Sequence, residues 1–223
     1  MNYLAHGFPY VDDPYFLAGT AVPDWLSVVN RRMRVRSKRV APLVDHRDPY
    51  LAALARGILR HHADDRWFHQ TRAFAELSLQ LTVAVRDVLS QDDGFRPSFL
   101  GHILVEILLD ATLIVDDPRR LNDYYAALEQ IDSRQVAQSV NEMATCESPL
   151  LAEFISKFCS VRFLYDYVQD EKLLFRLNQV MKRVKLPKLP SEFLAILPPA
   201  RRDVRRRRDE LLAGLPDECF PSR

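Results

Sequence analysis

"FLGHILVEILLDATLIV", residues 99–115, is the stretch whose reading decides the fold. Phe99, Ile103, Ile107 and Leu108 recur at three- and four-residue spacing, and Leu100, Leu104 and Leu109 widen the same face until the helix is apolar almost all round. Such a helix belongs at the centre of a protein. Its length invites a membrane reading, but His102, Glu106 and Asp110 interrupt it and leave no clean span, so stable membrane insertion is not expected.

Outward from this helix, the punctuation is helical. Asp13-Pro14, Asp48-Pro49, Arg96-Pro97 and Asp117-Pro118 place proline just inside helix starts, three of them behind an aspartate cap. The chain has only 6 glycines, and no Asn-Gly or Asp-Gly turn joins alternating apolar runs, so hairpin signals are missing. The expectation is an all-α, compact multi-helix bundle with helices near 13–22, 49–70, 71–90, 97–115, 118–130, 133–144, 149–168, 170–184 and 199–213. "VKLPKLPSE" (184–192) has two prolines within four residues and cannot be continuous helix. It divides a helical domain over 1–183, with its chemistry in 1–117, from a connector and basic C-terminal helical arm over 184–223.

At 223 residues and 27% charged, the chain can bury a sizeable core and shows no signature of disorder. A net charge of +1 argues against a nucleic-acid-binding polycation. Cys146, Cys159 and Cys219 are an odd, widely spaced set with no C-x-x-C pair, which argues against a zinc ribbon or a disulfide framework. The N-terminus lacks a basic and apolar leader, so cytoplasmic residence is expected. The aromatic run "FCSVRFLYDYV" (158–168) reads as core packing.

Chemistry concentrates early, since all 6 histidines precede residue 118. "GILRHHADDRWFH" (57–69) sets His61, Asp65 and His69 at i, i+4 and i+8 along one helical stripe, with His62 and Asp64 on its flanks. His102, Glu106 and Asp110 repeat the device on the central helix. Two facing rows of this kind can converge on a metal ion in a bundle core, and a mixed nitrogen and oxygen set suits zinc, manganese or iron. The competing use of a His-x-x-x-Asp pair is an ion pair or a satisfied hydrogen bond. By themselves, His6 reads as a surface or core hydrogen-bonding residue and Asp24 as a turn or cap residue.

In company these residues mean more. "MNYLAH" (1–6), "LAGTAVPDWL" (17–26), "GILRHHADDRWFH" and "FLGHILVE" (99–106) together resemble, in order and approximate spacing, the acyl carrier protein phosphodiesterase family. The resemblance covers about the first 115 residues. It implies an all-helical, distantly HD-like hydrolase that uses a divalent metal, typically manganese, to remove 4′-phosphopantetheine from holo acyl carrier protein. His6, Asp24, His61, Asp65 and His102 match the family's polar motif residues by position. This chain departs from the pattern in having His69 where the family tends to have an acid, in adding Glu106 and Asp110, and in lacking a His-Asp dipeptide. "GTAVPD" (19–24) and "HILVE" (102–106) are also similar to segments of zinc-dependent phospholipase C and its related nucleases, which likewise hydrolyse phosphodiesters on metal ions.

Under either resemblance the expected ligands are His61, Asp65, His102 and Asp24, then His6 and Glu106, around a divalent metal ion. His62 or His69 would protonate the leaving alkoxide, with Asp64 orienting one of them. Arg31, Arg32, Arg34 and Arg36 begin seven residues after Asp24 and could dock a phosphate or an acidic partner such as acyl carrier protein, against the plainer reading of a solvated loop. "RRDVRRRRDELL" (201–212) reads as an amphipathic surface helix. Two other classes stay open: a non-catalytic helical scaffold whose polar rows are ion-pair networks, and a di-iron oxidase, which the absence of Glu-x-x-His argues against.

Overall fold

The computed structural model describes residues 1–89 and 93–214, and over these the chain is all-α with no strand. Cys219 and the end of the expected C-terminal arm, residues 215–223, lie outside the described residues. The helices are α1 (Tyr3–Gly7), α2 (Pro14–Val29), α3 (Ser37–Val40), α4 (Pro49–Phe68), α5 (Arg72–Val88), α6 (Pro97–Asp116), α7 (Arg119–Leu128), α8 (Ser133–Met143), α9 (Leu151–Val161), α10 (Asp170–Arg183), α11 (Leu197–Arg206) and α12 (Arg208–Leu212).

Side-chain caps account for three of the starts. The Asp13 carboxylate accepts from the Phe16 N–H ahead of α2, Thr71 Oγ1 from the Phe74 N–H ahead of α5, and Asp132 from the N–H groups of Arg134 and Gln135 ahead of α8.

Three boundaries differ from expectation. Helix α2 does not end at 22 but runs through Pro23 to Val29. An interior proline costs about 3 kcal/mol. Continuing the helix buries Trp25 and Leu26 completely, at about 1.5–3 kcal/mol each, so burial outweighs the lost bond. Asp24 is therefore helical. The helix expected over 149–168 stops at Val161, where Arg162 takes φ 48° and ends it, and a 3-10 segment follows over Phe163–Val168. The helix expected over 199–213 starts earlier, at Leu197 with Pro198 in its first turn, and breaks at Arg207 into α11 and α12.

Two compact units interleave along the chain. One comprises Met1–Asn2, Trp67–Pro118 and residues from Leu164 onward; the other comprises Tyr3–Arg66 and Arg119–Phe163. The boundary expected at 183/184 falls inside the first of these. There α5 lies along α6, close enough that a Cβ on Gly101 would stand 2.6 Å from the Ser78 carbonyl, and α11 also packs on α6. Helix α6 is long and apolar enough to cross a membrane, but 67% of that window is buried inside the protein's own fold. In the second unit α1, α7, α8 and α9 surround α2. Phe158 is its aromatic hub, with ring centroids 4.9 Å from Tyr3, 5.5 Å from Trp25 and 5.3 Å from Phe163, so the 158–168 aromatics are packing residues.

Candidate metal centre

The site begins with two glycines. Built Cβ atoms would lie 2.4 Å from the Leu54 carbonyl oxygen at Gly19 and 2.1 Å from the Phe16 carbonyl oxygen at Gly57, so only glycine lets α2 and α4 approach this closely. One turn beyond Gly57, His61 Nδ1 donates to the Thr20 carbonyl at 2.8 Å. That bond puts the ring proton on Nδ1 and turns Nε2 toward Asp65, the same device by which outer hydrogen bonds orient metal-ligating histidines.

His61 and Asp65, one turn apart on α4, meet His6 from α1. His6 Nε2 lies 3.2 Å from Asp65 Oδ1, His61 Nε2 lies 3.6 Å from Asp65 Oδ2, and the two imidazoles stack with centroids 4.1 Å apart. One ligand atom from each of the three falls within 4.8 Å of the others, so the triad could hold a metal ion. His6 and His61 are buried. Burial, then the neighbouring His6, holds the His61 pKa well below its ordinary value, so His61 is neutral. Neutral His61 Nε2 and ionised Asp65 Oδ2 are both acceptors. Two facing acceptors make a place for a cation, or for a water that donates to both.

His6 behaves differently. Burial alone would lower its pKa, but the carboxylates of Asp64 and Asp65 more than offset this and raise it. Asp64 Oδ2 faces His6 Nδ1 at 3.7 Å, and Asp64 Oδ1 is held by Arg60 at 2.7 Å. Asp65 is itself kept ionised: burial pushes its carboxyl up, and the hydrogen bond with His6 overrides that and holds it far below the usual carboxylate range.

The other unit carries a second set with the same composition. His102 and Glu106, one turn apart on α6, meet His69, with His69 Nε2 2.8 Å and His102 Nε2 3.4 Å from Glu106 Oε1. These three could also hold a metal ion. The Met1 amine reaches the same oxygen at 3.2 Å. Burial would raise the Glu106 carboxyl; the amine and the hydrogen bonds from His102 and His69 prevail and hold it far below its ordinary range. This triad is more open, with side chains 30%, 41% and 17% exposed for His69, His102 and Glu106.

The grouping is not the one expected from helical stripes. His69 leaves the His61–Asp65 row because α4 ends at Phe68, and it joins His102 and Glu106 instead. Asp110, the third member of the α6 row, is fully buried and belongs to neither triad. Asp24, one turn beyond Thr20 on α2, also belongs to neither. His62 Nε2 donates to the Val35 carbonyl at 2.7 Å, which ties α4 to the basic loop. In that loop Met33 and Val35 point inward and Arg31, Arg32, Arg34 and Arg36 outward. Sequence reasoning missed the Thr20 carbonyl, which leaves no side-chain signal, and Arg60. Gly19 and Gly57 stand at the heads of the "GTAVPD" and "GILRHH" segments, but their close approach to each other had no sequence signal.

No family model, curated protein or solved structure matches this chain.

Proposed function

We propose that this protein is a metal-dependent phosphoric diester hydrolase that uses its histidine–carboxylate triads to hold divalent ions, with the phosphopantetheine linkage of holo acyl carrier protein as the substrate to test first. The observation that carries the reading is the His61 tautomer. A buried neutral imidazole, its Nδ1 proton committed to a backbone carbonyl, presents a lone pair to an ionised carboxylate. The substrate is suggested by the resemblance of the four sequence segments, not by the geometry.

His6, His61 and Asp65 would hold one ion, and His69, His102 and Glu106 another; manganese, zinc and iron all suit two imidazoles and a carboxylate. When bound, a divalent ion neutralises charge on phosphoryl oxygens and makes water nucleophilic near neutral pH. The chain's own groups do the rest. Asp64, anchored by Arg60, stands 3.7 Å behind His6 Nδ1, where it would orient the ring if the two close to hydrogen-bond distance on metal binding. His69, 30% exposed and hydrogen-bonded to Glu106 at 2.8 Å, is the imidazole that would give a proton to a leaving alkoxide.

The direct contacts favour a second reading, a non-catalytic helical scaffold. The 2.8 Å His69–Glu106 and 3.2 Å His6–Asp65 contacts are complete hydrogen bonds in their own right. Metal analysis of protein purified without chelator or a nickel tag separates the two. The hydrolase reading expects stoichiometric metal, reduced in His61→Ala and in His102→Ala. Metal-free protein that refuses manganese and zinc, with both variants folding as the parent does, establishes the scaffold instead. Incubation with holo acyl carrier protein and manganese, read by mass spectrometry, then tests the substrate. Hydrolysis of a generic diester such as bis(p-nitrophenyl) phosphate, with phosphopantetheine retained, moves the assignment to the phospholipase-like alternative.

A further inference from the structure

The arginine-rich segment 201–208 is not spent on solubility alone. Arg201 is anchored by Asp170 and the Tyr167 carbonyl, and Arg207 by Glu76 and Glu210. The others surround a cavity of about 310 Å³ lined by Asp116, Arg202, Arg205, Arg206, Arg208 and Asp209. Asp116 closes α6, and its buried carboxylate accepts from Arg205 Nη2 at 2.9 Å and Arg208 Nη1 at 2.6 Å. Two guanidinium groups are thereby fixed in place before anything binds. Arg202 and Arg206, one turn apart on α11, stand on the same face, where like charges repel. Among the described residues Arg206 has only a 3.9 Å approach to Asp203, and Arg202 has no carboxylate within ion-pair distance.

Four guanidinium groups line this cavity against Asp116 and Asp209, and with Asp203 beside Arg206 also counted one positive charge is left over. We propose that it is a binding site for a dianionic phosphoryl group of a small molecule, a phosphate monoester or inorganic phosphate. Planar guanidinium forks match phosphoryl oxygens bidentately, and a pre-anchored fork loses less freedom on binding. A monoester carries close to two negative charges and three terminal oxygens at neutral pH, a diester one charge and two such oxygens, so four guanidinium groups favour the monoester. The Asp209 carboxylate, 86% exposed, accepts from both Nε (2.9 Å) and Nη2 (2.6 Å) of Arg208, the edge a phosphoryl group would take by displacing it. The site needs nothing from the metal triads and stands whether or not they are catalytic.

Titration calorimetry on the full chain tests it, with inorganic phosphate, phenyl phosphate and dimethyl phosphate as probes. Saturable binding of the two dianions is expected, with dimethyl phosphate about tenfold or more weaker, the ratio one charge–charge contact of about 1.4 kcal/mol supplies. Arg202→Gln/Arg206→Gln should weaken phosphate by about tenfold or more, while Asp209→Asn should tighten it several-fold by removing the competing charge. A gain of affinity cannot come from misfolding. Phosphate affinity unchanged in both variants, affinity lost in His61→Ala/His102→Ala instead, or no saturable binding by the parent chain overturns the proposal.

Discussion

His61 shows how much one hydrogen bond can decide. With Nδ1 held by the Thr20 carbonyl, its other nitrogen is an acceptor by construction, and burial keeps it so. This has a stability consequence in the metal-free chain. The folded pKa is depressed, so below about pH 6.5 the unfolded chain takes up a proton at His61 that the folded chain refuses, and stability falls by up to about 1.4 kcal/mol per pH unit. His6, whose folded pKa is raised, adds stability as pH falls over the same range, so the His61 share is the difference in slope between parent and His61→Gln in denaturant unfolding at pH 7.0 and 5.5; an unchanged slope in the variant would assign the acid sensitivity elsewhere. The cysteines give a second residue-scale expectation. Burial, then the nearby Glu129, pushes the Cys159 thiol up to about 11, whereas Cys146 is exposed. Alkylation at pH 8 followed by peptide mapping should modify Cys146 well before Cys159, and the Cys159 rate should climb about tenfold per pH unit.

At the scale of elements, the first triad depends on how closely α2 and α4 approach. Gly57→Ala forces a methyl group against the Phe16 carbonyl, which cannot move without moving the α2 backbone. The expected cost is about 1–3 kcal/mol, read as a lower denaturation midpoint, together with weakened metal uptake because the Thr20 carbonyl is drawn away from His61. Asp13→Ala is the matched control. It removes the α2 cap at a cost of about 1 kcal/mol and leaves metal uptake intact, since the cap lies more than a turn from Thr20. Equal loss of metal in both variants would mean that the site responds to general stability and not to this contact.

For the whole molecule, ligand binding to the native state is a stability measurement. Manganese or zinc at about a hundredfold excess over its dissociation constant should add about 2.7 kcal/mol per occupied triad. His61→Ala and His102→Ala should each remove one part of the rise in thermal midpoint, and the double variant all of it. No rise in the parent chain would leave both triads as ion-pair networks.

The helix content, most helix starts and the buried character of α6 were legible along the chain, because proline, capping aspartates and apolar spacing act within one or two turns. So was the one-turn pairing of His61 with Asp65 and of His102 with Glu106, which is a property of helical pitch. What needed the tertiary structure was everything that depends on a partner distant in sequence. His6 reaches Asp65 across 59 residues and His69 reaches Glu106 across 37. The continuation of α2 through Pro23 was likewise decided by the burial of Trp25. The orientation of His61 rests on a backbone carbonyl, which every residue has and no side-chain pattern marks. Local spacing specifies which residues can share a helix face. Only packing specifies which faces meet, and a candidate metal site exists only where they do.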